Sequence, residues 1–144
     1  MSAIWLIRGS WRADNLLCVR NFKDLKVWER SHRLVLNIYD ATDATGNFPR
    51  EETFGLTAQL RRCCASIPAN IAEGCGRSGE AELARFMLIS MGSTSELEYH
   101  LLLARDLGYL SAQHYQELLQ EVSEIKRMLS TFITKLRHTK KPKS

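Results

Sequence analysis

Four stretches of the chain carry apolar residues at every third or fourth position, and each stretch predicts an amphipathic helix. We expect the helices at about residues 25–44, 50–73, 79–107 and from 111 to about 137. Short segments containing glycine or proline separate them, such as Thr45–Pro49 and Gly74–Gly79. No stretch alternates as a β-strand would. Because short connections join antiparallel neighbours, the pattern predicts an all-α, up-down-up-down antiparallel four-helix bundle.

The first two helices each show a stripe of predicted core residues. In the first helix the stripe consists of Leu25, Trp28, Val35 and Tyr39, with His32 among them as a partly buried, hydrogen-bonded residue. In the second it consists of Phe54, Thr57, Leu60, Cys64, Ile67 and Ile71. Pro68 lies inside the second pattern and cannot donate a backbone N–H. Since the stripe continues through it, we predict a kink and not a break.

The third and fourth helices have the longest stripes. The third is formed by Leu83, Phe86, Ser90, Ser93, Leu97, Leu101 and Ala104, and the fourth by Tyr115, Leu118, Val122, Ile125, Leu129, Phe132 and Leu136. The third stripe is small at its centre, where Gly92 lies between Ser90 and Ser93. A glycine inside a helix costs about 1 kcal/mol relative to alanine. We therefore expect a close packing partner at Gly92.

The two ends of the chain do not share this periodicity. Residues 1–21 are predicted to be a disordered extension, residues 22–137 the bundle domain, and residues 138–144 a disordered basic tail. The longest apolar run, Ala3–Ile7, is shorter than a membrane span or the core of a signal peptide. These features predict a cytoplasmic protein with no membrane association.

The formal net charge of +4 is concentrated near the C-terminus. After Glu124 the chain has seven basic residues and no acidic one, whereas the remainder has a net charge of −3. The candidate nucleic-acid contacts are Arg127, Lys135, Arg137, Lys140, Lys141 and Lys143. Phosphate contacts of this kind depend on salt and little on base sequence. Each residue could instead serve only to keep the tail solvated.

The sequence lacks the usual constellations of an enzyme. A di-iron bundle needs Glu-x-x-His, but Glu96 and Glu98 precede His100 by the wrong spacings. The segment Gly74–Gly79 matches G-x-G-x-x-G, yet it follows a helix where a dinucleotide site requires a strand. No serine or cysteine has an evident histidine and acid beside it. We therefore predict no catalytic residues, no metal and no cofactor.

A polar row on the second helix is the least ordinary feature of the sequence. Arg62, Ser66, Asn70 and Glu73 are spaced by 4, 4 and 3 residues, which places them on one helical face. The third helix offers Arg85, Ser93 and Glu96 as partners. The row could be a solvated face with surface ion pairs. We favour the alternative, a hydrogen-bonded packing or assembly seam within or between subunits.

Several segments together resemble the proteins encoded in 23S rRNA intervening sequences. They are Phe22–Trp28, Phe48–Pro49, Gln59–Arg62, Ser66–Gly74, Arg77, Gly92–Ser93, Glu96–Leu97 and Leu101–Tyr109. The resemblance implies a four-helix bundle that assembles as a ring-shaped homopentamer. It also implies a relationship to the accessory variability proteins of diversity-generating retroelements, which bind nucleic acid and a reverse transcriptase.

These observations lead to two hypotheses of function. The first is a non-enzymatic, oligomeric binding protein whose basic surface contacts nucleic acid, either structured RNA or DNA. The alternative is a scaffold or adaptor for a protein, for example a reverse transcriptase, without direct contact to nucleic acid.

Overall fold

The computed structural model describes residues 21–138, which form four long helices and no β-strand. The helices are α1 (Lys26–Ala41), α2 (Leu56–Gly76), α3 (Glu80–Asp106) and α4 (Ala112–His138). Two 3₁₀ turns, Phe22–Asp24 and Arg50–Glu52, precede α1 and α2. The predicted all-α class and the four-helix bundle are confirmed. The predictions for residues 1–20 and 139–144 lie outside the described residues.

Helices α2 and α3 share the most extensive interface of the bundle and run antiparallel. Arg62 near the start of α2 contacts Glu96 in the second half of α3, at 2.7 Å. Further along α2, the Ser66 hydroxyl lies 2.9 Å from the hydroxyl of Ser93, which is earlier in α3. The antiparallel orientation of α2 and α3 is the one that the predicted up-down-up-down order requires. The complete order of the four helices stays a prediction.

Contacts between α4 and its neighbours show which helix ends lie together. The Arg30 guanidinium in α1 is 2.8 Å from Glu121, and a groove joins the last turn of α1 to the first turns of α4. In α3, Glu98 accepts a 3.1 Å hydrogen bond from Lys126. The cation of Arg105 near the end of α3 lies over the ring of Tyr115 near the start of α4. The first residues of α1 and α3 therefore lie at the end of the bundle where α4 finishes.

The core is built from the stripes that the sequence predicts for α3 and α4. Every predicted residue of both stripes is buried, from Leu83 to Ala104 and from Tyr115 to Leu136. Phe132 in α4 is the largest fully buried side chain. In α4 the apolar positions fall on one side, so periodicity alone identifies the face that packs inward. In α3 the predicted stripe is also buried, although Leu88, Ile89 and Tyr99 are apolar and exposed elsewhere on the helix.

The predicted stripe of α1 is wrong for most of its members. The buried residues of this helix are Val27, Ser31, Leu34 and Ile38. Among the predicted residues Leu25 is buried, Trp28 and Val35 are half-buried, and Tyr39 is 45% exposed. His32 is exposed and stacks on Trp28 at 5.1 Å between ring centroids. The physical reason is that α1 has two apolar stripes. One faces the core directly, and the predicted one lies at the edge of the core, where Trp28 and Val35 pack against it only in part.

The predicted start of the second helix at Arg50 is also wrong. The backbone passes through a 3₁₀ turn and through Gly55 before α2 begins at Leu56. The Glu52 carboxylate accepts a 2.7 Å hydrogen bond from the Leu56 N–H, which satisfies one of the unpaired donors at the helix start. Phe54, predicted in the core, therefore lies off the helix and is 96% exposed.

The later part of α2 continues further than the sequence predicts. The helix is unbroken through Pro68 and ends at Gly76, not at Glu73. Gly74 is buried against α3, where an added Cβ would lie 2.9 Å from the Cβ of Phe86. The turn to α3 is short, and Gly79, with φ of 94°, is the residue before the helix.

The close partner expected at Gly92 is absent among the described residues. A Cβ built there would meet no atom within 4 Å, and the residue is exposed. The serines on either side make the contacts to α2 instead, because the Ser90 hydroxyl donates to the Ile67 carbonyl at 2.9 Å. The packing of this chain alone does not require the glycine.

Candidate functional site: the polar seam and the basic end

The polar seam is formed by Arg62, Ser66, Asn70, Ser93 and Glu96 at the α2–α3 interface. The Arg62 guanidinium donates to Glu96 at 2.7 Å and to the side-chain carbonyl of Gln59 at 2.7 Å. The Asn70 amide donates to both the carbonyl and the hydroxyl of Ser66, at 2.8 and 2.9 Å. Five of the seven residues predicted for the seam thus lie at this interface, in two hydrogen-bonded groups: Arg62 with Glu96, and Ser66 with Asn70 and Ser93.

The seam is open to solvent at its charged end. The Arg62 side chain is 61% exposed and that of Glu96 is 38% exposed. An exposed ion pair of this kind contributes under about 1 kcal/mol. The hydroxyl and amide groups of Ser66, Ser93 and Asn70 are better shielded, so they fix the approach of α2 and α3 more than the charges do.

The two remaining predicted residues lie elsewhere. Glu73 accepts from Arg77 on its own helix at 2.8 Å, and Arg85 donates to Glu82 at 3.1 Å. Donation from Arg85 lowers the pKa of the Glu82 carboxyl. The guanidinium groups of Arg77 and Arg85 both lie over the ring of Phe86, at 5.4 and 4.5 Å. These residues form an arginine cluster beyond the seam.

Replacing Arg62 with alanine is expected to lower the free energy of unfolding by less than about 1 kcal/mol, and the loss should shrink in 1 M salt. Asn70→Ala removes two hydrogen bonds from a half-buried site and should cost about 1 to 2 kcal/mol, independent of salt. Urea denaturation at low and high salt measures both values. A large, salt-independent loss for Arg62→Ala would contradict the exposed geometry of its ion pair.

The cysteines have the properties of packing residues. Cys63, Cys64 and Cys75 are buried and form no disulfide. Burial raises the pKa of Cys63 to about 12 and that of Cys75 to about 11, so both thiols stay protonated near neutral pH. A protonated thiol is neither a nucleophile nor a metal ligand. Within residues 21–138 no group of three His, Cys, Asp or Glu side chains is placed to hold a metal.

The predicted nucleic-acid contacts are only partly within the described residues. Arg127 pairs with Glu124 one turn earlier. Lys135 and Arg137 lie in the last turn of α4, where the C-terminal end of the helix dipole favours cations. Lys140, Lys141 and Lys143 lie outside the part of the chain that the structure describes.

The last turn of α4 belongs to a larger cluster of cations at the same end of the bundle. We call this cluster the basic end, formed by Lys23, Lys26, Arg77, Arg85, Lys135 and Arg137. The acids at this end are Asp24, Glu29, Glu73, Glu80 and Glu82, so the cations are in excess by one. Sequence reasoning missed the first four cations because they come from the ends of α1, α2 and α3. Their only signal is the antiparallel order of the helices.

The opposite end of the bundle has the opposite sign. Its acids are Asp40, Asp43, Glu51, Glu52, Asp106 and Glu117, and its cations are Arg50, Arg61 and Arg105. Arg61 donates to the hydroxyl and carbonyl of Thr42 at the end of α1, so its positive charge also stabilises the C-terminal end of that helix. The described bundle is therefore electrically polarised along its length.

Comparison with known proteins agrees with this fold. The family model described as 23S rRNA-intervening sequence protein matches residues 23–131. The chain belongs to this family. The match includes the seam and most of the four helices, and it confirms the resemblance in the sequence. No curated protein matches the chain.

A solved structure shows that the family fold is shared. It is a protein with unknown function from the S23 ribosomal protein family of Bacteroides thetaiotaomicron VPI-5482. It is 24% identical in sequence, with a TM-score of 0.66, and the alignment covers 74% of this chain and 97% of that one. At this identity, the likeness between the two structures establishes a shared fold and says nothing about an activity of this chain. No helix among residues 21–138 has the length and apolarity needed to cross a membrane.

Proposed function

We propose that this chain is a non-enzymatic, oligomeric binding protein whose basic end contacts nucleic acid, with structured RNA as the expected ligand. The observation that supports the proposal is the separation of charge along the bundle. Cations from all four helices collect at one end, where the basic residues of the tail also begin. A surface with an excess of cations attracts polyanions and raises their local concentration.

The proposed contact is with the phosphate backbone. Lysine and arginine side chains that neutralise phosphates release condensed counterions, so binding weakens linearly on a logarithmic salt scale. The polarity of the chain gives this contact a direction, because the acidic end would repel the same ligand. Assembly would strengthen the effect, since copies in a ring present their basic ends together.

The homopentamer implied by the family resemblance is part of the proposal. Light scattering is expected to give a mass about five times the 16.5 kDa of one chain. A ring with five basic tails would concentrate positive charge on one surface. A monomeric protein at micromolar concentration would contradict the oligomer, and would leave the contact with nucleic acid to be tested separately.

A structured RNA hairpin is expected to bind most tightly at about 50 mM salt and to lose about a thousandfold in affinity by about 200 mM. The double variant Lys135→Gln/Arg137→Gln removes two candidate phosphate contacts, which should lower the slope of log K against log salt by about two. Fluorescence anisotropy with labelled RNA, and with duplex DNA in parallel, measures both quantities.

The matched control is Arg50→Gln/Arg105→Gln, which removes the same charge from the acidic end. It should change the affinity little, because both arginines lie at the end of the bundle away from the proposed contact. That result would show that net charge alone does not explain the binding. Equal losses in the two double variants would contradict a localised basic end. The proposal fails if neither RNA nor DNA binds at about 50 mM salt, where a phosphate-driven contact is strongest.

A second candidate function is a scaffold for a protein partner such as a reverse transcriptase. The observation that favours it is Phe54, an aromatic side chain 96% exposed at the turn before α2. Solvent-exposed aromatics are typical anchors of protein interfaces. Binding to such a partner should tolerate high salt and survive deletion of residues 138–144, whereas a nucleic-acid contact should weaken under both changes.

A further inference from the structure

A groove of about 550 Å³ runs between the last turn of α1 and the first turns of α4. We call it the α1–α4 groove. Its lining includes the apolar side chains of Ala41 and Leu118, and acids lie on both of its sides, Asp40 on α1 and Glu117 on α4. Helices α1 and α4 share the least extensive interface between neighbouring helices of the described bundle. The groove is therefore the place where the packing of the helices is most open.

The acids of the α1–α4 groove favour a cationic occupant. Glu121, at the inner end of the groove, pairs with Arg30 at 2.8 Å. Among the described residues, Asp40 forms no ion pair, and Glu117 accepts a 3.3 Å hydrogen bond from the neutral Gln113 amide. An occupant that complements this surface carries positive charge for the two carboxylates and an apolar group for the floor between them.

Residues 1–20, which precede the described part of the chain, have this chemistry. They contain three arginines and one aspartate, and so an excess of two positive charges. Arg8 and Arg12 are separated by four residues, with Trp11 beside the second of them. Tryptophan and arginine are the residues that most often anchor a protein interface. A segment with no sustained apolar period of its own can become ordered when it docks on a folded surface.

The position of Asn21 brings this segment within reach of the groove. The described chain begins there, beside the start of α1, and α1 has 16 residues and a length of about 24 Å. In an extended chain the residues from Arg8 to Asn21 span up to about 43 Å, and those from Arg12 to Asn21 about 30 Å. Both arginines can therefore reach the last turn of α1.

The basic tail cannot occupy the same groove in its own chain. Residues 139–144 follow the end of α4, and six residues span at most about 20 Å. The groove lies at the first turns of α4, and the 27 residues of this helix have a length of about 40 Å. Among the basic segments outside the described residues, the one before Asn21 is thus the one that reaches.

We propose that residues 8–12 dock in the α1–α4 groove of the same chain. Arg8 and Arg12 pair with the carboxylates of Asp40 and Glu117, and Trp11 packs on the apolar floor. Because the segment is tethered to α1, its effective concentration at the groove is high, and a few contacts are enough to hold it. The inference goes beyond the proposed function and depends on neither the contact with nucleic acid nor the oligomer.

Trp11 reports on the docking in the full chain. The sequence has three tryptophans, so the variant Trp5→Phe/Trp28→Phe leaves Trp11 as the sole emitter. Acrylamide quenching of its fluorescence measures its exposure, and a synthetic peptide of residues 1–20 with Trp5→Phe gives the value for full exposure. Trp11 is expected to be quenched less in the full chain than in the peptide. Should Trp28→Phe impair folding, the difference between the natural chain and its Trp11→Phe variant gives the same quantity.

Charge reversal tests the pairing itself. Arg8→Glu/Arg12→Glu and Asp40→Arg/Glu117→Arg are each expected to raise the quenching of Trp11 to the value of the peptide, because each places like charges in contact. The combination of all four substitutions restores opposite charges with their signs exchanged, and should return the quenching to its original value. Circular dichroism establishes that each variant folds.

The matched control is Glu51→Arg/Asp106→Arg. It reverses the same charge at the acidic end of the bundle, at two exposed residues outside the groove. This control should leave the quenching of Trp11 unchanged. A loss of protection equal to that of the groove variant would mean that the segment responds to the overall charge of this end, and would overturn the inference.

Three further outcomes would overturn the inference. Trp11 as exposed in the full chain as in the peptide would mean that residues 8–12 do not dock. Protection that survives Asp40→Arg/Glu117→Arg would place the segment on another surface. Protection that disappears on dilution would mean that the segment comes from another copy of the chain. The RNA titration and the mass from light scattering test the proposed function separately.

Discussion

Replacing Phe132 with alanine is expected to lower the free energy of unfolding by about 3–5 kcal/mol, because a large buried side chain is lost and a cavity remains. Phe132 lies in α4 and is the largest of the fully buried side chains. Chemical denaturation followed by circular dichroism, at one fixed protein concentration, measures the change. Fixed concentration matters because assembly would add to the apparent stability.

Phe54→Ala is the matched control and should change the free energy of unfolding by no more than about 0.5 kcal/mol. Both variants remove the same ring, but Phe54 is 96% exposed. Should Phe132→Ala fail to fold, Phe132→Leu retains most of the volume and should show an intermediate loss. Similar losses at the two phenylalanines would mean that Phe54 is covered, and would contradict its exposed position.

The contrast between these phenylalanines shows what periodicity can and cannot predict. In α4 a single stripe recurs among polar residues, so the sequence alone identifies Phe132 as a core residue. Phe54 continues the spacing of the α2 stripe, but Gly55 interrupts the backbone before the helix begins. The spacing of apolar residues predicts a shared face only within one continuous helix. Here the helix begins after Gly55, and the apolar pattern does not record that local backbone conformation.

Helix α1 exposes a second limit of the same kind. It has two apolar stripes, and the spacing of Trp28, Val35 and Tyr39 is as regular as that of the buried residues. Which stripe faces inward is decided by the neighbouring helices, which a pattern within one helix does not describe. The prediction chose the outer stripe, whose residues pack at the edge of the core: Trp28 and Val35 are half-buried against it, and Tyr39 lies under the Arg61 guanidinium.

How much of each candidate site could be predicted depends on how far apart its residues lie in the sequence. The row Arg62, Ser66 and Asn70 could be predicted because residues four apart share a helical face. Its partners Ser93 and Glu96 follow from antiparallel packing of α3. The basic end could be predicted only where it is continuous in sequence, at the end of α4. Lys23 and Arg77 join it through the fold, from positions far apart along the chain.

Gly74→Ala is expected to lower the free energy of unfolding by about 1–3 kcal/mol, as overpacking of a tight contact does. The added Cβ would lie 2.9 Å from the Cβ of Phe86 and 3.1 Å from Leu83 Cδ1. Because the Phe86 Cβ is fixed to the backbone of α3, a rotamer change cannot relieve the clash. The steric cost should exceed the gain of about 1 kcal/mol that alanine brings to a helix.

Gly76→Ala provides the control two residues later in the same helix. Gly76 is exposed, and an added Cβ there would meet no atom within 4 Å. Alanine should therefore stabilise the protein by about 0.4–1 kcal/mol, mainly by restricting the unfolded chain. Opposite signs for the two substitutions would establish that α2 and α3 are in close contact at Gly74.

The same substitution should also affect RNA binding. Because the guanidinium groups of Arg77 and Arg85 both lie over the Phe86 ring, displacement of α3 by Gly74→Ala should move two cations of the basic end. RNA affinity should then fall for Gly74→Ala and stay unchanged for Gly76→Ala.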